Sequence, residues 1–266
     1  MILARARQNS FVTSLIVFVV WLLLLMVVPR VFIHGGTQSL EEHAARGGSI
    51  GNVLAPVFLL IAVAVLGWRR QVGLKRVESA RSLLILWFPL LIVIAVFVTS
   101  ALYLKSFTEA IALTVIHTLM VGFSEELMFR GVILYGALTR FSVWTAIIFS
   151  CAVFGSVHVL NGFMTGDFTS AMIQALTAAI GGIWFTAVRL HTKSIFPGMA
   201  IHALWDLAAF IGVMAIKAGL TGQSSADAEA STSDFIVPVL MEMPLFLYGL
   251  WFLRGIGKRD KAEFLS

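Results

Sequence analysis

The sequence contains few charged residues: they make up 12% of the 266 positions, whereas 59% are hydrophobic. A soluble domain usually carries about 25% charged residues. The mean hydropathy of +0.94 therefore predicts an integral membrane protein, and the length predicts a single domain. The formal net charge is +5, but the basic residues are grouped in particular loops. We therefore expect contact with a lipid bilayer and no binding of nucleic acid.

Cysteine is almost absent, because Cys151 is the only one in the chain. An internal disulfide is thereby excluded, and the apolar neighbours of Cys151 predict a small core residue. The sequence also lacks an HExxH zinc motif, a GxSG serine motif and a GxGD aspartyl motif. These absences argue against enzymes that depend on those three signatures.

Eight hydrophobic runs can each cross about 30 Å of hydrocarbon as a helix. They predict an all-α, polytopic membrane helix bundle of about eight transmembrane helices. Within this one membrane domain we expect an N-terminal scaffold at 1–81, a core at 82–216, and a last span with a basic tail at 217–266. The runs are 11–33, 53–68, 82–104, 107–123, 143–160, 168–190, 195–216 and 235–253.

The orientation follows from the distribution of Lys and Arg between alternating loops. Fifteen of the 19 basic residues lie at the N-terminus, in 69–81, 124–142 and 189–193, or in the C-terminal tail. Both termini are therefore predicted to face the cytoplasm, and the polar, acidic 221–234 loop to face the other side.

Three charges within six residues, Glu125, Glu126 and Arg130, follow the fourth run, which continues into them. A charge in the bilayer costs several kcal/mol unless it is paired or hydrated. In a helix, Glu126 and Arg130 are spaced i,i+4 and can pair, whereas Glu125 points about 100° away and has no partner on its own helix. This pattern predicts one restrained and one reactive carboxylate, although a Glu–Arg pair that only fixes helix packing is the alternative.

Two further motifs place ionisable residues on neighbouring runs: His158 follows Phe154 by four residues, and Asp206 follows His202 by four. Glu125 and His158 each lie 16 residues from the turn at 141–142, so a helical hairpin brings them level. Intramembrane ionisable groups usually converge on one cavity. We therefore predict a single site, in the cytoplasmic half of the membrane.

These motifs resemble those of the CPBP family, which contains CAAX proteases and bacteriocin-processing proteins and is also called the Abi family. Residues 125–130 (EELMFR) are similar to its EExxxR motif, 154–158 to FxxxH and 202–206 to HxxxN/D. The resemblance, over about residues 82–212, implies an eight-helix intramembrane endopeptidase of a bacterial cytoplasmic membrane. It implies that Glu125 and His158 activate water, that Glu126 and Arg130 orient them, and that His202 and Asp206 stabilise the oxyanion. Asp206 stands where many relatives have Asn.

The chemistry of amide hydrolysis needs a base, an acid for the leaving amine and stabilisation of the oxyanion. A glutamate with two histidines satisfies these needs on a membrane-associated peptide or protein substrate. A zinc ion held by Glu125, His158 and His202 is the alternative mechanism, and we favour the metal-free one. A non-catalytic immunity, scaffolding or transport protein is the alternative of a different class, although repeated halves with broken helices, typical of transporters, are absent.

Four other polar residues are not assigned to the catalytic set. His117 lies two helical turns before Glu125 and is expected to pack, with cavity lining as the alternative. Glu242, in the last run, is expected to pair with a neighbouring helix or to contact substrate. Asn161 and Asp167 are assigned to a loop.

Overall fold

A computed structural model describes residues 9–32, 36–104, 108–219 and 232–265, and these residues form helices and turns without a strand. Six helical segments are long and apolar enough to cross a membrane. With the 17-residue apolar helix Ile50–Leu66 and the 22-residue helix Thr232–Leu253, they confirm the predicted all-α polytopic bundle. The ten principal helices are α1 Ser10–Phe32, α2 Leu40–Ala45, α3 Ile50–Leu66, α4 Trp87–Ala101, α5 Glu109–Glu126, α6 Leu134–Arg140, α7 Val143–His158, α8 Phe168–Thr192, α9 Phe196–Gly219 and α10 Thr232–Leu253.

Side chains that cap helices explain where three of the long helices begin. Thr108, Ser142 and Asp167 each precede a helix and accept a hydrogen bond from the backbone N–H three residues later. Each cap satisfies one of the amide groups that the first turn of a helix leaves unpaired. Asp167, assigned to a loop from the sequence, is thus the N-cap of α8, and Asn161 ends a short 3₁₀ turn, Val159–Asn161.

The central helix is not regular, because a π-helical segment, Leu127–Ile133, joins α5 to α6. All seven of its residues are buried. The sequence predicts one α-helix here, since no proline interrupts it and Gly131 is the one poor helix former in the segment. Packing on all sides of the segment overrides this local preference, and π-helical turns of this kind often occur at functional sites.

The α6–α7 hairpin projects past the neighbouring helix pair. His158 follows the start of α7 by 15 residues, or about 22 Å, whereas His202 follows the start of α9 by six residues, or about 9 Å. Because the two histidines nevertheless line the same cavity, the 141–142 turn extends beyond the 193–195 turn. The start of α1 lies beside the 141–142 turn, since the Phe11 and Phe141 ring centroids are 5.1 Å apart.

The two ends of the bundle differ in their loops. We call the end that carries the 67–79, 141–142 and 193–195 turns the basic end. The 193–195 and 67–79 turns meet there, where Ile195 N–H donates to Gly73 O at 2.9 Å and the Ser194 hydroxyl donates to Lys75 O at 2.7 Å. The opposite end carries α2 and the 159–167 connection, which are joined by a hydrogen bond from Gln38 N–H to Met164 O at 3.1 Å.

The first helix packs on the π-helical segment. The Trp21 side chain is 1% exposed, its ring meets that of Phe129 edge to face at 5.5 Å, and its indole N–H donates to the Ser124 hydroxyl at 2.9 Å. Removing a buried tryptophan typically costs about 3–5 kcal/mol. The N-terminal scaffold is therefore packed directly on the core helix, and the division into the regions 1–81, 82–216 and 217–266 stays a prediction.

The orientation can be tested by cysteine labelling with a membrane-impermeant maleimide in a Cys151→Ser background. Because the basic end carries most Lys and Arg residues, Lys75→Cys is expected to react only from the cytoplasmic side. Asp227→Cys, in a loop that lies outside the described residues, is expected to react only from the other side. The reverse pattern would overturn the predicted orientation.

Candidate active site

The centre of the site is an ion pair with no contact to solvent. Arg130 Nη1 lies 3.1 Å from Glu126 Oε1, and both side chains are 0% exposed. The same carboxylate oxygen accepts a hydrogen bond from His202 Nδ1 at 2.9 Å. The i,i+4 pairing expected from the sequence is therefore present, and it extends to a third residue on another helix.

Two aromatic rings enclose the Arg130 guanidinium. Its central carbon lies 3.9 Å from the Phe154 ring centroid and 5.0 Å from that of Phe185. Desolvated cation–π contacts of this kind contribute about 2 kcal/mol. None of the guanidinium nitrogens meets the geometry of a hydrogen bond to a described residue. The guanidinium is thus held by charge and by ring stacking.

Two glycines allow α9 to approach α5 this closely. A Cβ at Gly122 of α5 would lie 2.7 Å from Ala203 N, and one at Gly198 of α9 would lie 2.9 Å from Glu126 Oε2. Real Cβ atoms do not tolerate such distances, so a side chain at either position would push the helices apart. The contact between His202 and Glu126 depends on this close approach.

A cavity of about 700 Å³ opens beside this buried pair. Its lining includes Glu125, His158, His202 and Asp206, four of the six predicted catalytic residues. Glu126 and Arg130 are not among the lining residues. The structure therefore separates the six into four that face the cavity and two that lie behind it.

His202 is surrounded by carboxylates on three sides. While Nδ1 binds Glu126, Nε2 lies 3.6 Å from Glu125 Oε2 and 3.6 Å from Asp206 Oδ2. All three carboxylates would attract a positively charged imidazolium at this position. His202 can therefore act as a proton donor toward the cavity through Nε2.

His158 is oriented by its own helix. Its Nδ1 lies 2.9 Å from Phe154 O, and the two rings meet edge to face at 4.9 Å. If Nδ1–H donates to this carbonyl, Nε2 carries the lone pair and can accept a hydrogen bond. The two histidines thus have complementary roles available, one as an acceptor and one as a donor.

The sequence analysis missed a polar segment at the opposite end of the bundle that also lines the cavity. It surrounds the short helix α2 and contributes Gln38, His43, Arg46 and Asn52. His43 contacts His117 edge to face at 5.4 Å, and burial lowers the pKa of His43 below its usual value. His117 thus lines the cavity as well as packing. The segment has no apolar periodicity, so only its tertiary contacts reveal it.

The alternative metal set is not assembled as a group of ligands. Among the residues that the structure describes, no three His, Cys, Asp or Glu side chains are arranged to hold a metal ion. In the proposed set of Glu125, His158 and His202, both histidines bind a protein oxygen through Nδ1, as zinc-bound histidines also do. The preference for a metal-free mechanism therefore stays a prediction, with zinc as its alternative.

One comparison with known proteins gives a match. Residues 82–208 match the model of the family described as Rce1-like, type II CAAX prenyl endopeptidase Rce1-like. This part of the chain is therefore similar to the CAAX protease family. The matched range contains all six predicted site residues, and the family indicates a membrane-embedded protease. No curated protein and no solved structure matches the chain significantly.

Arg130→Ala tests the importance of the buried pair. It leaves the Glu126 carboxylate buried and unpaired, which should lower the free energy of unfolding by about 3–5 kcal/mol and also reduce activity. Thermal melting in detergent measures the stability effect. Arg140→Ala, at the exposed end of α6, is the control and should melt like the wild type. Loss of activity at an unchanged melting temperature would instead indicate that Arg130 acts on the substrate.

Proposed function

We propose that the chain is an intramembrane endopeptidase that hydrolyses a peptide bond in a membrane-associated protein or peptide. The description of the matching family suggests a prenylated CAAX-type substrate. The observation that carries the proposal is the cavity in which Glu125 lies 3.6 Å from His202 Nε2 and which His158 also lines. Glu125 can serve as the base, His158 as a hydrogen-bond acceptor and His202 as a hydrogen-bond donor. Amide hydrolysis requires these groups around one reaction centre.

In the proposed first step, water is held between Glu125 and His158. Glu125 removes a proton from the water, while Nε2 of His158 accepts a hydrogen bond from it. The oxygen then attacks the carbonyl carbon of the scissile bond, and a tetrahedral oxyanion forms. The oxyanion then collapses to a carboxyl group as the C–N bond breaks, and Glu125 gives its proton to the leaving amine. One carboxylate thus serves first as base and then as acid.

His202 is the proposed stabiliser of the oxyanion. As an imidazolium it would donate from Nε2, while its Nδ1–H remains bound to Glu126. Arg130 and Glu126 contribute indirectly, because they hold the imidazole in position from the buried side. Preorganised donors of this type are typically worth about 10²–10³ in kcat. Asp206, 3.6 Å from Nε2, would orient and balance the charge of His202.

The position of the cavity has a consequence for the route of the substrate. The cavity leads from the reactive side chains toward α2 and the 159–167 connection, at the opposite end of the bundle. If the basic end faces the cytoplasm, as predicted, the opening faces the non-cytoplasmic side. His202 then lies in the cytoplasmic half of the membrane, where the sequence predicts the site. The substrate, however, enters the cavity from the non-cytoplasmic half.

Glu125→Gln tests the proposed mechanism directly. The amide keeps the shape of the side chain but cannot accept the proton of water, so cleavage should fall roughly 100-fold or more. The assay is cleavage of a farnesylated CAAX-type peptide by the full chain in nanodiscs.

Glu242→Gln is the matched control for this variant. It makes the same change at another intramembrane glutamate, which does not line the cavity, and should retain the wild-type rate. A normally folded Glu125→Gln protein with wild-type activity would disprove the role of Glu125.

Metal removal and Asp206→Asn together distinguish the two mechanisms. In a metal-free enzyme, chelators should leave the rate unchanged and the purified protein should contain no stoichiometric zinc. Asp206→Asn should remain active, because an amide can still orient a neighbour or donate to an oxyanion. Stoichiometric zinc by elemental analysis, with activity lost on its removal and regained on its return, would decide for the zinc mechanism.

A further inference from the structure

Two side-chain amides form a pair in the wall of the cavity, outside the set of predicted catalytic residues. Asn161 Nδ2 donates to Gln174 Oε1 at 2.8 Å. Asn161 ends the 3₁₀ turn that follows α7, and Gln174 lies near the start of α8. Both side chains are half-buried, and both line the cavity. The pair is thus a polar feature of the cavity wall.

The single bond of the pair does not use Asn161 Oδ1 or the Gln174 Nε2 group. Asn161 Oδ1 and Gln174 Nε2 make no hydrogen bond to any residue that the structure describes, although each amide has further bonding capacity. A carbonyl oxygen and an N–H group side by side are complementary to the N–H and C=O groups of a peptide. A lipid chain would leave both atoms unsatisfied, which is costly away from water.

Neighbouring polar side chains already have partners. The Gln38 amide nitrogen bonds with His43 Nδ1 at 3.0 Å, and the Thr165 hydroxyl donates to Asn161 O at 3.1 Å. The backbone N–H of Gln38 is also bonded, to Met164 O. Unlike these groups, Asn161 Oδ1 and Gln174 Nε2 have no hydrogen-bond partner among the described residues.

The pair lies between the reactive residues and a second cavity. Asn161 follows His158 by three residues, and side chains at this spacing are about 5–6 Å apart on a helix. Asn161 and Gln174 also line an adjoining cavity of about 530 Å³, which shares Thr37 and Gln38 with the first one. Since an extended peptide advances about 3.3 Å per residue, a substrate whose scissile bond lies beside His158 would pass Asn161 about two residues away.

We propose that Asn161 and Gln174 form a subsite for the main chain of an extended peptide substrate. Asn161 Oδ1 accepts from a peptide N–H, and Gln174 Nε2 donates to a peptide C=O. This role rests on the proposed protease function. Because the contacts are to the backbone, the subsite selects extended conformation and not side-chain identity.

The test combines substitutions in the protein with changes in the peptide backbone. The probes are farnesylated CAAX-type peptides in which each peptide nitrogen near the cleavage site is methylated in turn. Affinity is measured on the full-length Glu125→Gln protein in nanodiscs, and KM and kcat on the wild type. One methylated position should weaken binding roughly 3- to 10-fold, as expected for loss of one hydrogen bond. In Asn161→Leu, methylation at that position should cause no further loss.

Three variants separate a binding role from a structural one. Gln174→Met should raise KM roughly 3- to 10-fold and leave kcat near its wild-type value. The exchange Asn161→Gln with Gln174→Asn keeps an amide pair and should restore most of the affinity. Thr177→Val is the control, because its hydroxyl bonds only the backbone of its own helix at Ile173 O and Gln174 O.

The possible results test the subsite and the protease function independently of each other. Cleavage with an unchanged KM in Gln174→Met and an unchanged methylation penalty in Asn161→Leu would overturn the subsite and leave the protease intact. Binding that depends on both amides, without any cleavage, would support the subsite and overturn the protease. Failure of the wild type to bind or cleave these peptides would overturn both.

Discussion

The buried ion pair between Glu126 and Arg130 determines the arrangement of the whole site. Neither side chain reaches solvent, and each charge would be very costly in this environment without the other. The pair therefore has to be kept intact by packing. Phe154 and Phe185 cover the Arg130 guanidinium, and His202 Nδ1 hydrogen-bonds to the Glu126 carboxylate. As a result, α5, α7, α8 and α9 are held together at one point, and the cavity lies beside it.

The sequence predicted much of this site, because the spacing of charges in an apolar chain is highly restrictive. The pairing of Glu126 with Arg130 and the convergence of His158 with His202 on one cavity follow from helical periodicity and from the cost of intramembrane charge. The equal distances of Glu125 and His158 from their common turn were enough to bring them to the same cavity. The Glu126–Arg130 pair and the equal level of Glu125 and His158 are local or hairpin-level relations, whereas the convergence of His202 was expected only from the cost of separate intramembrane charges.

Other features could not be predicted because they depend on tertiary packing. The π-helical segment contains ordinary helix-forming residues apart from Gly131, and nothing in its sequence disfavours a regular helix. The wall formed by the segment around α2 has the composition of a connecting loop. The Asn161 and Gln174 side chains are 13 positions apart in the sequence. They belong to the turn after α7 and to α8, and no local pattern links them. In each case the partner, and not the local sequence, sets the conformation.

The charges around the cavity suggest how the site can carry out its proposed reaction. With all groups ionised, Glu125, Glu126 and Asp206 contribute three negative charges, and Arg130 with a protonated His202 contributes two positive ones. The site then carries one net negative charge, whereas a neutral His202 would leave two. Because excess charge is costly in a low dielectric, the arrangement favours an imidazolium between Glu125 and Asp206. During attack by water, the proton moves to Glu125 and the negative charge moves to the oxyanion. The net charge of the site is unchanged. Because the negative charge passes from Glu125 to the oxyanion, and both are neighbours of His202 Nε2, this one donor can stabilise the site before and after the attack.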